Sequence, residues 1–242
     1  GEIVLLGGRN FGKSKKNSGG YIKLQGGESG GGRGGEIYLQ SGTSLLGSSG
    51  NISVETADSR KFGASGHLKL GTGTSSEGNS GSVTILTGNN LQGNTGNISL
   101  RVGAGSAKTG GSIRVSSGDT DHEDGYGGQI KMTAGSGTST SHVNGGNGGD
   151  VSISGGVSHG MSRTNTVGGQ LRLESGSAVA GTGGAVIVKT GGSSAGASSG
   201  DLFLNTHDLT SHGQSGDIEL RTGSSSQGMS GSLDLRSGHA AN

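Results

Sequence analysis

The sequence contains no proline, no cysteine and no tryptophan, and aromatic residues make up only 2% of its 242 positions. Without cysteine the chain has no disulfide framework and no cysteine-bound zinc site. Without proline it is not a collagen, whose glycine repeat requires abundant proline. These absences exclude any covalent cross-link as the basis of the fold.

The sequence also lacks a charge excess and a long apolar run. Eighteen Lys and Arg residues against seventeen Asp and Glu residues give a formal net charge of +1, too small a field to gather nucleic acid. No apolar run approaches the roughly 20 residues of a membrane span, and no signal-peptide pattern is present. We therefore expect neither nucleic-acid binding nor a membrane span.

What is present is glycine, at 58 positions, arranged in an internal repeat. In the unit 81–95, Gly81 is position zero, Val83 and Ile85 occupy positions two and four, and Gly88 occupies position seven. Fifteen such units follow one another, and seven of the fourteen spacings between them are 15 residues. The units open at Gly1, Gly20, Gly35, Gly50, Gly66, Gly81, Gly96, Gly111, Gly128, Gly149, Gly169, Gly184, Gly200, Gly216 and Gly231.

Each unit divides into an apolar segment, positions zero to six, and a return segment that runs from position seven to the next opening glycine. Positions two and four, the aliphatic pair, hold Ile, Leu, Val or Met in all thirty cases. Mostly polar residues stand between them, and this alternation is typical of a strand with one buried face. Position seven is glycine in all units except two, which carry Ala57 and His207, and a second glycine stands three residues before the next unit in most units, as at Gly93. Both glycines suit corners, because a chain that turns twice in one unit needs turns with φ > 0.

The pattern therefore predicts an all-β fold, a parallel β-solenoid (β-helix) of about fifteen coils of roughly 15 residues each, with the aliphatic pairs inside. The longer loops 9–18, 136–147 and 157–167 all lie in return segments, so we expect them at one edge. Ser or Thr at position six predicts hydroxyl contacts between neighbouring coils. A coil of two units, with two facing sheets, is the alternative architecture.

Residues 1–242 are expected to form a single β-solenoid repeat domain. Because the first unit opens at Gly1, already inside the repeat, and neither end has a capping element, we expect a segment of a longer chain or filament. Exposed solenoid ends also predict self-association, end to end or side by side.

Several segments resemble binding motifs, but their context is wrong. Segment 7–14 fits the phosphate-loop pattern around Gly12, Lys13 and Ser14, yet too few residues follow it for the required helix. Segment 145–151 resembles a calcium nonapeptide that occurs only once. The acidic cluster 119–124 lacks the glycine and glutamate spacing of an EF-hand loop, so we interpret it as a solvated loop.

No catalytic, cofactor-binding or metal-binding residue is predicted. The histidines are scattered and lack grouped carboxylates. They are His67, His122, His142, His159, His207, His212 and His239. The basic loop of Arg9, Lys13, Lys15 and Lys16 is read as solubilising, with an anionic polysaccharide as the alternative partner.

Two positions fit the acceptor pattern for N-glycosylation. Asn51 and Asn97 each precede Ile and Ser, and each is position one of its unit. Both asparagines are therefore candidate glycosylation sites if the chain passes through a secretory pathway.

Written as G-x-I-x-L-x-S/T-G followed by a Ser/Gly-rich return, the chain resembles the tandem Gly/Ser/Thr repeats of very large secreted or cell-surface proteins of diatoms and related algae. The resemblance covers essentially the whole chain and carries no catalytic motif. It implies an extracellular or cell-surface location and a structural or adhesive role.

The sequence thus predicts a non-enzymatic protein that forms a rigid extracellular rod or filament, a scaffold at the cell surface. The alternative is a binding module, either a carbohydrate adhesin that contacts extracellular polysaccharide or an ice-binding solenoid. Ice-binding solenoids present Thr-x-Thr in every coil, whereas here that triplet occurs only in isolation, at 72–74 and 138–140.

Overall fold

The structure, a computed structural model, describes residues 1–12, 14, 17–60, 63–162, 164–194, 196–210 and 212–239. None of these residues lies in a helix or in a strand. The predicted all-β parallel β-solenoid is therefore wrong, and its two-unit alternative is wrong for the same reason.

The missing sheet is explained by where the backbone hydrogen bonds lie. A parallel sheet requires N–H to C=O bonds between neighbouring strands. In the described chain, every backbone–backbone hydrogen bond instead joins two residues of the same return segment or of its closing glycine. Closing a short loop on itself costs less entropy than pairing distant segments. A glycine-rich chain with two aliphatic side chains per unit offers little burial to offset that larger cost.

The division of each unit into two parts is nevertheless visible. Across the described residues, sharp changes of chain direction fall only in return segments, for example at 30–32, 76–78 and 226–228. The apolar segments contain no bend and no turn. The repeat therefore determines where the chain turns, although it does not produce a hydrogen-bonded ladder.

Most of the described corner glycines do not use the conformation predicted for them. Positive φ occurs, among the described glycines, at Gly63 (114°), Gly196 (81°) and Gly213 (155°). All three lie inside return segments, and none opens a unit or occupies position seven. Gly63 and Gly213 each stand three residues before the next opening glycine, one of the two corners at which φ > 0 was expected. At position seven the expectation was wrong for the described glycines, because the bends spread over about three residues, which removes the need for one left-handed residue there.

The chain forms two compact units, Gly1–Arg114 and Val115–Asn242. The accessible surface totals 25454 Å², whereas a folded protein of this mass exposes about 9,800 Å² and an unfolded chain about 34,000 Å². No described residue is buried. The predicted core of aliphatic pairs is therefore absent.

The partial shielding that occurs among the described residues falls almost entirely at position six, at seven of its fifteen residues. Eight described residues are half-buried, and all but Thr166 occupy that position: Gly7, Gly26, Ser41, Ala134, Ser175, Thr190 and Thr206. Among the described residues there is no helix that is both long and apolar enough to cross a membrane.

Candidate functional site

The aliphatic pairs form the largest set of exposed apolar side chains. Position four is 57% exposed at Ile153 and 79% exposed at Leu235, its two extremes. Position two lies between 51% at Ile130 and 61% at Val83 in every unit except the first. So narrow a range over fourteen units shows that each of them places its position-two side chain in a similar local environment.

The first unit shows what provides the partial cover at position two. Ile3, which has no unit before it in this sequence, is 91% exposed, whereas Ile22 and Ile98 are 52% and 53% exposed. The preceding unit therefore shields about two fifths of each later position-two side chain. The remaining surface faces solvent.

The polar side chains at positions three and five lie on a common side of the apolar segment. Glu219 Oε1 accepts from Arg221 Nε at 2.9 Å, and Ser53 Oγ donates to Glu55 Oε1 at 2.7 Å. The same two positions form ion pairs in Arg172–Glu174 and Asp234–Arg236. Since side chains two residues apart reach each other, positions two and four share the opposite side.

Eight return segments are closed by one repeated hydrogen bond, which we call the clamp. The N–H of an opening glycine donates to the C=O of the preceding position-seven residue, as from Gly50 to Gly42 at 2.9 Å. The other seven opening glycines that donate in this way are Gly20, Gly35, Gly128, Gly149, Gly169, Gly184 and Gly200. The clamp therefore joins the two ends of the return segment and brings the end of one apolar segment next to the start of the following one.

The size of the position-six side chain determines whether the clamp forms. Position six is Gly, Ala or Ser in seven of the eight clamped cases. Where it is Thr or Val, the clamp is absent from the described chain, except after Thr190, whose 3.0 Å clamp is the longest. The clamp is missing at Gly66, Gly81, Gly96, Gly111, Gly216 and Gly231.

The cause is steric. With glycine at position six, the backbones approach so closely that a Cβ on Gly7 would lie 2.5 Å from the carbonyl oxygen of Gly20. With threonine, its methyl group fills this space: a Cβ on Gly81 would lie 3.4 Å from Thr72 Cγ2. The predicted hydroxyl contacts between units are absent from the described position-six residues, except at Ser117, whose Oγ donates to Gly128 O at 2.8 Å.

A second recurring hydrogen bond involves the Ser or Asn side chain at position nine. The side-chain oxygen of Ser44 accepts the N–H of Gly47 at 2.9 Å, and that of Asn90 accepts the N–H of Gly93 at 2.6 Å. The same bond recurs from Gly32 to Ser29, from Gly78 to Ser75 and from Gly228 to Ser225. This Ser/Asn turn orders the bend, and its S/N-x-x-G spacing was a sequence signal that the repeat analysis missed.

Within Val115–Asn242, the long return segment 156–168 borders an open cleft of about 820 Å³. Val157, Met161 and Thr166 line it together with His207, the residue that replaces glycine at position seven. Among the described lining residues, His207 is the one titratable side chain. This lining does not indicate a particular ligand or reaction.

The candidate glycosylation sites are accessible. Asn51 and Asn97 are both exposed. In the first of the two acceptor triplets the Ser53 hydroxyl is bonded to Glu55. Glycosylation of either asparagine stays a prediction.

The motif-like segments do not form binding sites in the described part of the chain. The N–H of Gly12 donates to Asn10 Oδ1 at 2.8 Å, so it does not face a phosphate. Lys13, Lys15 and Lys16, which complete the phosphate-loop pattern and the basic loop, lie outside the described residues. No three His, Asp or Glu side chains come together as metal ligands among the residues described, the acidic cluster 119–124 included.

Comparison with protein-family models, with curated proteins and with solved structures found no match to this chain. The features of the chain that bear on function are therefore the repeat and its exposed surface.

Proposed function

We propose that the chain is a non-enzymatic structural repeat segment of an extracellular or cell-surface scaffold, which acts by self-association. The observation that supports this most is that thirty of thirty aliphatic positions are kept while none of the described side chains is buried. Exposed aliphatic side chains repeated at this regularity favour an association surface, because monomeric proteins rarely expose extended apolar patches.

The experiment is imaging of the native material by negative-stain electron microscopy, with antibody labelling of intact cells. We expect labelled filaments or sheets outside the cell. Discrete single particles, or label confined to the cell interior, contradict the proposal.

The candidate glycosylation sites test the extracellular part separately. If the chain is secreted by a cell that glycosylates asparagine, treatment with an N-glycan-removing enzyme lowers its apparent mass. Asn51→Gln and Asn97→Gln each remove part of that shift. If protein recovered from the cell surface shows no change in apparent mass, the proposed location is still supported, but N-glycosylation of these asparagines is wrong.

A second candidate, contact with acidic extracellular polysaccharide, is favoured by exposed cations at positions three and five, of which three are taken as examples. Lys69, Arg101 and Arg114 stand at positions three or five and are exposed, and in the described chain none of them has the ion pair that Arg172, Arg221 and Arg236 have. Retention on an immobilised sulfated polysaccharide, lost with added salt and lost in the variant Lys69→Gln/Arg101→Gln, supports this role. Equal retention on a neutral polysaccharide contradicts it. We do not propose ice binding, because that alternative required a regular solenoid face.

A further inference from the structure

We infer that the aliphatic pairs are the surface through which copies of this chain associate side by side, each copy covering the pairs of another. This inference rests on the proposed self-association and commits it to one surface and one occupant. It places positions two and four at the interface and positions three and five outside it.

The solvent-accessible surface of the chain is large enough for association. The chain exposes roughly 15,700 Å² more than a folded protein of its mass, as the difference between 25454 Å² and about 9,800 Å². A stable interface needs about 800 Å² from each partner. The exposed surface therefore far exceeds what stable association of copies requires.

Two copies of this chain present aliphatic pairs at the same spacing. The aliphatic pair recurs at 15 residues in half of the spacings, and the extra residues of the longer units fall in return segments. A second copy presents the same sequence of pairs, so it meets many pairs at once, and a two-fold axis makes such a surface self-complementary. An unrelated partner has no reason to share this period.

The chemistry of the surface also favours a second copy as the occupant. A net charge of +1 gives copies no long-range repulsion, and near-neutral proteins associate readily. Aliphatic positions without aromatic residues do not suit the stacking of nucleic-acid bases. A membrane surface would require an excess of basic residues beside the apolar positions, which this chain lacks.

The test compares two double variants in sedimentation experiments between 1 and 100 µM of chain, concentrations in the range of about 1 µM to 1 mM that separates tight from weak association. Val83→Asp/Ile98→Asp changes position two in two units, and Thr84→Asp/Ser99→Asp places the same charges at the neighbouring position three. We expect the first to weaken association by about 100-fold or more and the second to change it by less than about threefold, since each buried aliphatic contributes about tenfold or more.

A second measurement keeps the inference testable if the aspartate variants fail to fold. Because the chain has no cysteine, Ile98→Cys and Ser99→Cys each introduce a single thiol. We expect concentration-dependent protection of the first thiol from alkylation, by about tenfold, and none of the second. Equal protection of both, equal weakening by both double variants, or a chain that stays monomeric throughout overturns the inference.

Different results would contradict the side-by-side surface and the extracellular scaffold. If the substitutions at position two leave association unchanged, the side-by-side surface is wrong, but a self-associating scaffold is still supported. Intracellular label or isolated particles in native material reject the scaffold, whatever the purified chain does.

Discussion

At the scale of the residue, the glycines act by allowing backbone atoms to approach each other. Gly7 and Gly26 at position six lie so close to the next opening glycine that a methyl group would overlap its carbonyl oxygen. Their neighbours Gly8 and Gly27 have open space at the same point. Adjacent glycines of one unit therefore have different tolerance for a side chain, which composition alone does not reveal.

Gly26→Thr should break the clamp from Gly35 to Gly27, which measures 2.8 Å, because threonine at position six accompanies a missing clamp in all described units but one. A net hydrogen bond contributes about 0.5–1.5 kcal/mol, so the Gly35 amide should exchange its hydrogen about three- to tenfold faster. Amide exchange followed by NMR measures this. Gly27→Thr is the matched control, since a Cβ on Gly27 would meet open space, and an equal effect of both substitutions would show that the close approach is not the cause.

Ser75→Ala should remove the side-chain acceptor of the Gly78 N–H, a bond of 3.0 Å. Loss of such a local turn bond costs about 0.5–1 kcal/mol, so the Gly78 amide should exchange a few times faster. Ser76→Ala, at the next residue, is the control. Ser75→Asn should keep the slow exchange, because Asn90 makes the same bond in another unit; failure of this rescue would contradict the assignment.

At the scale of the element, the return segment is the part of the unit that the sequence predicts best. Among the described residues, the glycine three residues before the next unit lies in a bend in most units, as expected from local turn chemistry, whereas the corner expected at position seven has no bend. The clamp was not predicted, although the residue type at position six indicates it. Gly, Ala or Ser at position six accompanies a clamp, and Thr or Val accompanies its absence, in all but one of the fourteen units. Pairing between apolar segments was predicted wrongly, since alternation indicates one-sided strands without saying whether neighbours bond.

Position six should behave as a size-dependent switch of the clamp. In Ser41→Thr the added methyl should displace Gly50 from Gly42, and in Thr72→Ser the lost methyl should let Gly81 bond to Gly73. The reciprocal pair should therefore move the exchange rates of the Gly50 and Gly81 amides in opposite directions, by about three- to tenfold. Movement in the same direction would reject steric control.

At the scale of the whole molecule, the exposed surface governs stability. The candidate surface could be located from the sequence, because the aliphatic pairs are conspicuous. Its exposure could not, because burial depends on whether neighbouring units approach, and that is a property of tertiary packing. The exposed cations at positions three and five likewise became distinct only once the ion pairs of Arg172, Arg221 and Arg236 were visible.

Unfolding of the dilute chain should expose little additional surface. The 25454 Å² already accessible leaves about 8,500 Å² to be exposed, roughly one third of the change for a folded protein of this mass. The urea m-value, which scales with that change, should be about one third of the usual one at 1 µM and rise toward it at 100 µM as copies associate. Far-UV circular dichroism measures it, and a full-sized m-value at the lower concentration would contradict the exposed surface.

The clamp has a practical consequence for tolerance to insertion. It measures 2.9 Å both where it spans the loop from Gly42 to Gly50 and where it spans the longer loop from Gly135 to Gly149. The extra residues of the longer loop leave the junction unchanged. A foreign peptide placed inside such a loop should therefore be displayed without disturbing the flanking apolar segments, which makes these loops natural grafting points.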